Sequence, residues 1–382
     1  MKPLLRLLPL LASPLLMAAE PVSPDAEARY LAGLPVEGTP LEALTKEKAW
    51  QEHSADFKKA WDTVDKRQFS KIAEWMPKVA PETYSDESPL LYFYSGPDIL
   101  YAHAFFPNAS TTIMCGIEPV GSLPDVAALT PEHRAESLRN LRKSLEAVLS
   151  FSFFRTAAMK TDLQNTALNG TLPVMYLFLA HSNCKLTKAE KVWLDANGEE
   201  HAEKSDIPGA KIEFTGPSGK TQTVYYFSSD LSNGGIKKNA GFTTFCAKQG
   251  KANGFLKAAS FLMHESDFSA SKDFLLAHTK LILQDDSGIP FHFYKAAGWS
   301  FTLAGHYKGP IDLFKNCYQA DLNEAYKVKD PAPVALPFSF GYRWHSDESV
   351  LFFAKAPAGG AGAVTPPTTD SATPAKAVPV KE

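Results

Sequence analysis

Apolar residues recur along this chain with two different periods, and the change of period divides it. Ala49, Trp50, Phe57, Trp61, Val64, Phe69, Ile72 and Trp75 follow a roughly helical spacing, with Lys58, Lys59 and Asp62 between them. That spacing predicts an amphipathic helical region. Thr39-Pro40-Leu41-Glu42 marks a start for it, with Thr39 as N-cap, Pro40 in the first turn and Glu42 reaching back as in a capping box. Pro77 and Pro81 mark its end. The aromatic stripe reads as a core face, with a ligand groove as the sharper alternative.

Short apolar runs then alternate with helical ones. Residues 90–94 read as a strand, 95–98 as a turn, 99–106 as a short helix and 111–117 as a second strand. This unit suits a parallel pair, although the connection is short for a standard crossover. Thr130-Pro131 opens a long amphipathic helix whose signal continues to about residue 162. Residues 174–179 read as a buried strand. A polar β region follows at 191–194, 210–214 and 221–227, with turns at Asn197-Gly198 and at 216–219. Residues 253–263 read as a helix, and Ser266 or Ser269 caps another that runs to about residue 280. Strands are expected at 281–284, 291–294, 299–303, 338–342 and 350–354, and a helix at 311–326. The resulting fold class is α/β (mixed α+β), with mixed sheet or sheets flanked by helices and a helical N-terminal region.

The two ends differ from this body. Lys2 and Arg6 precede a leucine-rich stretch broken by Pro3, Pro9 and Pro14, and Met17-Ala18-Ala19 precedes Glu20. A basic start, a short apolar middle and a small-residue end form a cleavable secretory signal over residues 1–19. The stretch is too short to span a bilayer, and no later segment is long and apolar enough to do so. The mature product is therefore expected to be soluble and exported, to the periplasm or outside the cell. Residues 356–382 hold five prolines, three glycines and no aromatic residue, a composition that predicts a disordered tail. Between the ends lie a helical region at 20–84 and a mixed α/β body at 85–355. Helices followed by a strand, at 130–180 and again at 253–285, suggest two related halves, 85–240 and 241–355.

Composition narrows the function classes. Residues 1–19 carry two cations and no acid, so their removal moves the formal charge from −3 to −5. A mildly acidic body gives no electrostatic reason to expect nucleic acid as a partner. Cys115, Cys184, Cys246 and Cys317 permit two disulfides in an oxidising compartment or stand as buried free thiols. Their wide spacing lacks the pattern of a zinc ribbon or a thioredoxin-type motif.

Short motifs fail on context. Gly219-Lys220-Thr221 ends like a P-loop, but Phe214 stands where the first glycine is required. Ser269 and Lys272 match S-x-x-K without the companion motifs of serine acyl-enzymes, so Ser269 reads as a cap. Three places do gather polar groups beside apolar strands: Asp98 with His103, Glu118, and Asp285-Asp286. Ligands of α/β sheets bind outside the carboxyl ends of strands. Carboxylates there serve as general acid and base or as hard ligands for calcium or magnesium. Each also has a structural reading: Asp98 as a helix cap, Asp286 in turn chemistry, Glu118 in an ion pair. His264, His292 and His306 form a looser set with no short zinc motif. The sequence identifies no cofactor.

Ser95-Gly96-Pro97-Asp98-Ile99-Leu100-Tyr101-Ala102, Phe105-Phe106-Pro107 and Gly116-Ile117-Glu118-Pro119-Val120-Gly121 resemble segments of a family of exported bacterial proteins of unknown function. The runs at 260–264, 284–290 and 336–338 fit the same resemblance, which covers about residues 85–355. It implies a bacterial, extracytoplasmic setting and no particular activity. Two expectations follow: an exported envelope protein that binds a ligand or envelope partner, or a carboxylate-dependent extracytoplasmic hydrolase, with or without an assisting metal. The second needs at least two of the carboxylates within about 10 Å across one concave pocket.

Overall fold

The computed structural model describes residues 22–146 and 167–358. The leader, most of the C-terminal tail and the helical signal at 147–162 lie outside the described residues.

Ten strands form one mixed sheet: β1 (Leu90–Phe93), β2 (Thr111–Gly116), β3 (Lys185–Leu194), β4 (Glu200–His201), β5 (Ile207–Thr215), β6 (Thr221–Ser228), β7 (Ala252–Leu256), β8 (Thr279–Gln284), β9 (Ser300–Gly305) and β10 (Val350–Lys355). Their order is β4-β3-β5-β6-β2-β1-β7-β8-β10-β9. The centre, from β6 to β8, is parallel. Antiparallel strands extend it on both sides, β5, β3 and β4 beyond β6, and β10 and β9 beyond β8.

The helices are α1 (Pro24–Leu31), α2 (Lys48–Val64), α3 (Ser70–Val79), α4 (Pro81–Tyr84), α5 (Ile99–Phe105), α6 (Pro131–Ser144), α7 (Leu172–His181), α8 (Asn233–Lys238), α9 (Ala240–Lys248), α10 (Ser269–His278), α11 (Phe291–Ala296) and α12 (Ala320–Tyr326). They cover both faces of the sheet. Leu90 and Tyr92 of β1 point into one apolar layer with α1, α2, α3, α5 and α7. Leu91 and Phe93 point into the other, with α9, α10 and α11. Burial on both faces explains why β1 is a continuous apolar run with no polar alternation.

The expected N-terminal helical stripe is present, carried by α2, a π-helical turn at Asp65–Phe69 and α3. Its entry differs in detail. Glu42 Oε2 accepts from the Gly38 N–H at 2.9 Å, and a 3₁₀ turn, Glu42–Lys46, precedes α2.

Five expectations are corrected. Residues 174–179 are not a strand but the middle of α7, which is buried on all sides and packs on α1, α5 and β3. An apolar run of this length lacks a period that separates a buried helix from a buried strand. Residues 253–263 are not a helix: β7 occupies their first part, where an added Cβ on Gly254 would come within 2.8 Å of the Ile282 side chain on β8. Residues 291–294 are helical, within α11. Residues 338–342 form no strand, although Phe338 and Phe340 are buried in the first layer. The helix expected at 311–326 is split into a 3₁₀ segment, Asp312–Cys317, and α12. All four cysteines are buried free thiols.

Candidate functional site

The centre of the sheet contains a reversal of winding. β1 leads through α5 to β2 on one side, and β7 leads through α10 to β8 on the other. α5 lies on the first face and α10 on the second. Right-handed crossovers that travel in opposite directions must use opposite faces. The two loops therefore part at the carboxyl ends of β1 and β7, and a crevice of this kind is where open α/β sheets hold ligands.

Asp98 and Lys257 occupy that position. The chain leaves β1 through left-handed backbone at Tyr94 (φ 59°) and Gly96 (φ 51°). Asp98 then caps α5, its Oδ1 accepting from the Tyr101 N–H at 3.2 Å. Its Oδ2 accepts from the Tyr92 hydroxyl at 2.9 Å and lies 2.7 Å from Lys257 Nζ. Lys257 is the first residue after β7, and its ammonium sits 3.9 Å from the centroid of the Tyr101 ring. Both charged side chains are only 1% exposed. Burial pushes the Asp98 carboxyl up, and the Lys257 ammonium and the donated hydrogen bonds pull against it.

Asp285 approaches the same cation from the end of β8. Its Oδ1 accepts from the Ser287 N–H at 3.0 Å, and its Oδ2 accepts from the Ala258 N–H at 3.0 Å. Burial raises its carboxyl, and the nearby Lys257 charge opposes this. Asp286 points away to Arg343, whose Nη2 lies 3.4 Å from its Oδ2. Burial and the neighbouring Asp285 charge push Asp286 up to about 7.

Strained backbone covers this group. Ala258, Ser260 and Phe261 all adopt left-handed φ, between 51° and 55°. Such a conformation costs a non-glycine residue about 1–2 kcal/mol, so surrounding contacts must hold it. The Tyr342 hydroxyl donates to the Ala258 carbonyl at 2.7 Å and accepts from the Ser260 N–H at 3.1 Å. Gly341 (φ 62°) lies so close to Asp285 that a Cβ there would be 2.0 Å from Oδ2.

The other candidates fall elsewhere. His103 lies five residues along the chain from Asp98, about 7–8 Å of helix rise and on another side of the helix. Its Nε2 is 3.5 Å from Cys184 Sγ, and burial lowers its pKa to about 4. Glu118 folds back over the end of β2, where an added Cβ on Gly116 would come within 2.3 Å of its Oε2. It accepts from the Tyr226 hydroxyl of β6 at 3.2 Å. Among the described residues no three His, Cys, Asp or Glu side chains converge to hold a metal, so His264, His292 and His306 do not form a zinc set. Lys272 packs its ammonium 3.6 Å from the centroid of the Phe293 ring, while the Ser269 hydroxyl bonds Asn233.

The structure thus brings Asp98 and Asp285 around one lysine, with Asp286 alongside, and leaves Glu118 and His103 apart. Each grouped carboxylate is buried and engaged by internal donors. Lys257, Tyr92, Arg343 and Tyr342 were not singled out from the sequence. Lys257 carries the same signal as Glu118 and Asp285, a charge directly after a short apolar run, but the helical reading of 253–263 concealed it. No protein-family profile, characterised protein or solved structure matches this chain.

Proposed function

We propose that this chain is an exported, extracytoplasmic protein that acts by binding a ligand or an envelope partner rather than by carboxylate catalysis. The observation that carries this reading is the use of the strand-end acids. Asp98 caps a helix and pairs with Lys257, Asp285 closes a turn and holds the Ala258 N–H, Asp286 pairs with Arg343, and Glu118 holds the Tyr226 hydroxyl. A hydrolytic pair needs one acid and one base facing a space that admits substrate and water. Buried and saturated carboxylates do not offer that.

Further features support the reading. The leader has the three parts of a secretory signal, and the resemblance to exported bacterial proteins points to the same setting. No helix among the described residues is long and apolar enough to cross a membrane. The loops at the carboxyl end of the sheet also expose large apolar side chains: Ile117 after β2, Leu313 beside Phe314, and Trp344 two residues past Tyr342. Exposed apolar side chains on these loops are available for contact with another molecule.

Cell fractionation combined with intact mass measurement tests the export, with a mature chain starting at Glu20 in the periplasmic or extracellular fraction as the expected result. Assays on ester, glycoside and phosphoester substrates test the chemistry, with no turnover expected. Retention of the leader on a cytoplasmic product overturns the first half. Turnover that is lost in both Asp98→Asn and Asp285→Asn overturns the second.

A further inference from the structure

We infer that Lys272 on α10 is a nucleophilic amine that captures small apolar aldehydes as an imine. The inference goes beyond the binding reading and does not depend on it, because it uses neither the strand-end carboxylates nor the lock around Lys257.

Two lysines among the described residues are buried, and their surroundings differ. Lys257 has its counter-ion, Asp98, at 2.7 Å. Lys272 is 7% exposed and makes no hydrogen bond and no ion pair among the described residues. Its ammonium instead lies 3.6 Å from the centroid of the Phe293 ring. A ring face attracts a cation, but it replaces none of the three hydrogen bonds that an ammonium donates in water. Burial lowers the pKa of this lysine, and the charge of Asp273, exposed at the next position of α10, opposes that. A desolvated lysine on an apolar bed is the setting in which this side chain becomes a nucleophile.

The amine is not sealed off. Lys272 Nζ has no partner, yet it is not among the polar atoms that are both unpartnered and fully enclosed. His292 beside it is exposed and Phe293 half-buried, so its aromatic bed borders solvent. The His292 ring lies 4.2 Å from the Phe293 ring, centroid to centroid. Burial and the Lys272 charge lower His292 against the pull of Asp321. Burial, with the His292 and Lys272 charges, lowers His264 to about 4. Three bases thus share one neighbourhood, and two of them are imidazoles that carry protons in neutral form.

The step balances without an oxidant or a reductant. The Nζ lone pair adds to the carbonyl carbon, and a proton passes from nitrogen to the new alkoxide. The hydroxyl then leaves with the second nitrogen proton as water, and the C=N bond forms. His292 is a base at hand to relay these protons. The Phe293 ring gives the aldehyde's apolar substituent a surface to rest on.

Reductive trapping of the purified mature chain with propanal and cyanoborohydride at pH 7, read by peptide mass mapping, tests this. Lys272 is expected to be alkylated about fivefold or more faster than the exposed Lys59 and Lys204. The advantage should vanish in the urea-unfolded chain, where every lysine meets the same solvent. Lys272→Arg should remove the fast lysine phase, leave the slow one and keep the far-ultraviolet circular dichroism. A Lys272 rate equal to or below that of the exposed lysines in the native chain overturns the inference. So does an advantage that survives unfolding, since the folded surroundings would then have no part in it.

Discussion

The Asp98 carboxylate and the Lys257 ammonium meet at 2.7 Å across the boundary where β1 and β7 send their connections in opposite directions. Each residue is the first charged side chain to follow its strand, Asp98 holding the Tyr92 hydroxyl and Lys257 lying over the Tyr101 ring. The pair is a lock between the two halves of the sheet. Removing one partner leaves the other charge buried without its counter-ion at 2.7 Å. Lys257→Met or Asp98→Asn is therefore expected to destabilise the fold by about 3–5 kcal/mol, and Asp98→Asn/Lys257→Met by less than the sum of its singles. Denaturant titration of the singles and the double gives the coupling. Additive effects would contradict a lock.

One hydroxyl, besides the Asp285 carboxylate and the Ser287 hydroxyl, holds the strained turn over this pair. Tyr342→Phe removes the bonds to the Ala258 carbonyl and the Ser260 N–H and leaves the ring in place. A loss of about 1–3 kcal/mol is expected, together with faster amide exchange confined to residues 258–261. Exchange that stays at the wild-type rate in this segment would show that other contacts hold it.

Gly341 should tolerate substitution worse than a glycine with the same hand of backbone and free space. An alanine Cβ at Gly341 would sit 2.0 Å from Asp285 Oδ2, whereas at Gly250 (φ 79°) nothing lies within 4 Å. Gly250→Ala is expected to cost about 1 kcal/mol from backbone strain alone, and Gly341→Ala clearly more. Thermal melts of the two variants compare them directly.

Glu27 supplies a pH dependence with a definite sign. Its carboxyl is buried on α1, accepts the Val126 N–H on both oxygens, and is pushed by burial up to about 7 from an ordinary value of 4.5. Between those values the unfolded chain has released the proton and the folded chain retains it. Stability contributed by this group is therefore present at acid pH and falls as pH rises through the window, by up to about 3 kcal/mol. Glu27→Gln should flatten the pH–stability profile between about pH 5 and 7.5 relative to wild type. Asp286 titrates with the same sign, so a residual slope in the variant is expected. An unchanged slope would remove Glu27 from the account.

The thiols give a direct chemical check. Cys115, Cys184, Cys246 and Cys317 are free and buried, and burial pushes Cys184 up to about 12. A disulfide-forming thiol reagent should label none of them rapidly in the native chain and all four after unfolding without reductant. Two labelled thiols in the unfolded chain would mean a disulfide.

The first and last strands of the body, the amphipathic α2 and α3, and the hairpin turns at Asn197-Gly198 and 216–219 were legible from the sequence, because each depends on neighbours a few residues away. So was the placing of acids at strand ends, since a charge after an apolar run marks the point where a buried strand reaches the surface of its layer. The company those acids keep was not legible. Asp98 and His103 are near in sequence and point to different surroundings, because five residues along a helix turn the side chain to another side.

By itself the sequence determined the α/β class, the helical N-terminal region and the positions of Asp98, Glu118, Asp285 and Asp286, all through local periodicity and composition. The tertiary structure alone decided that 172–181 is a helix and 252–256 a central strand, because a segment buried on every side shows no periodic contrast. It also decided that Lys257 answers Asp98 and Asp285. That pairing comes from two strands distant in the chain lying side by side where the winding reverses, and no property of either segment alone specifies it.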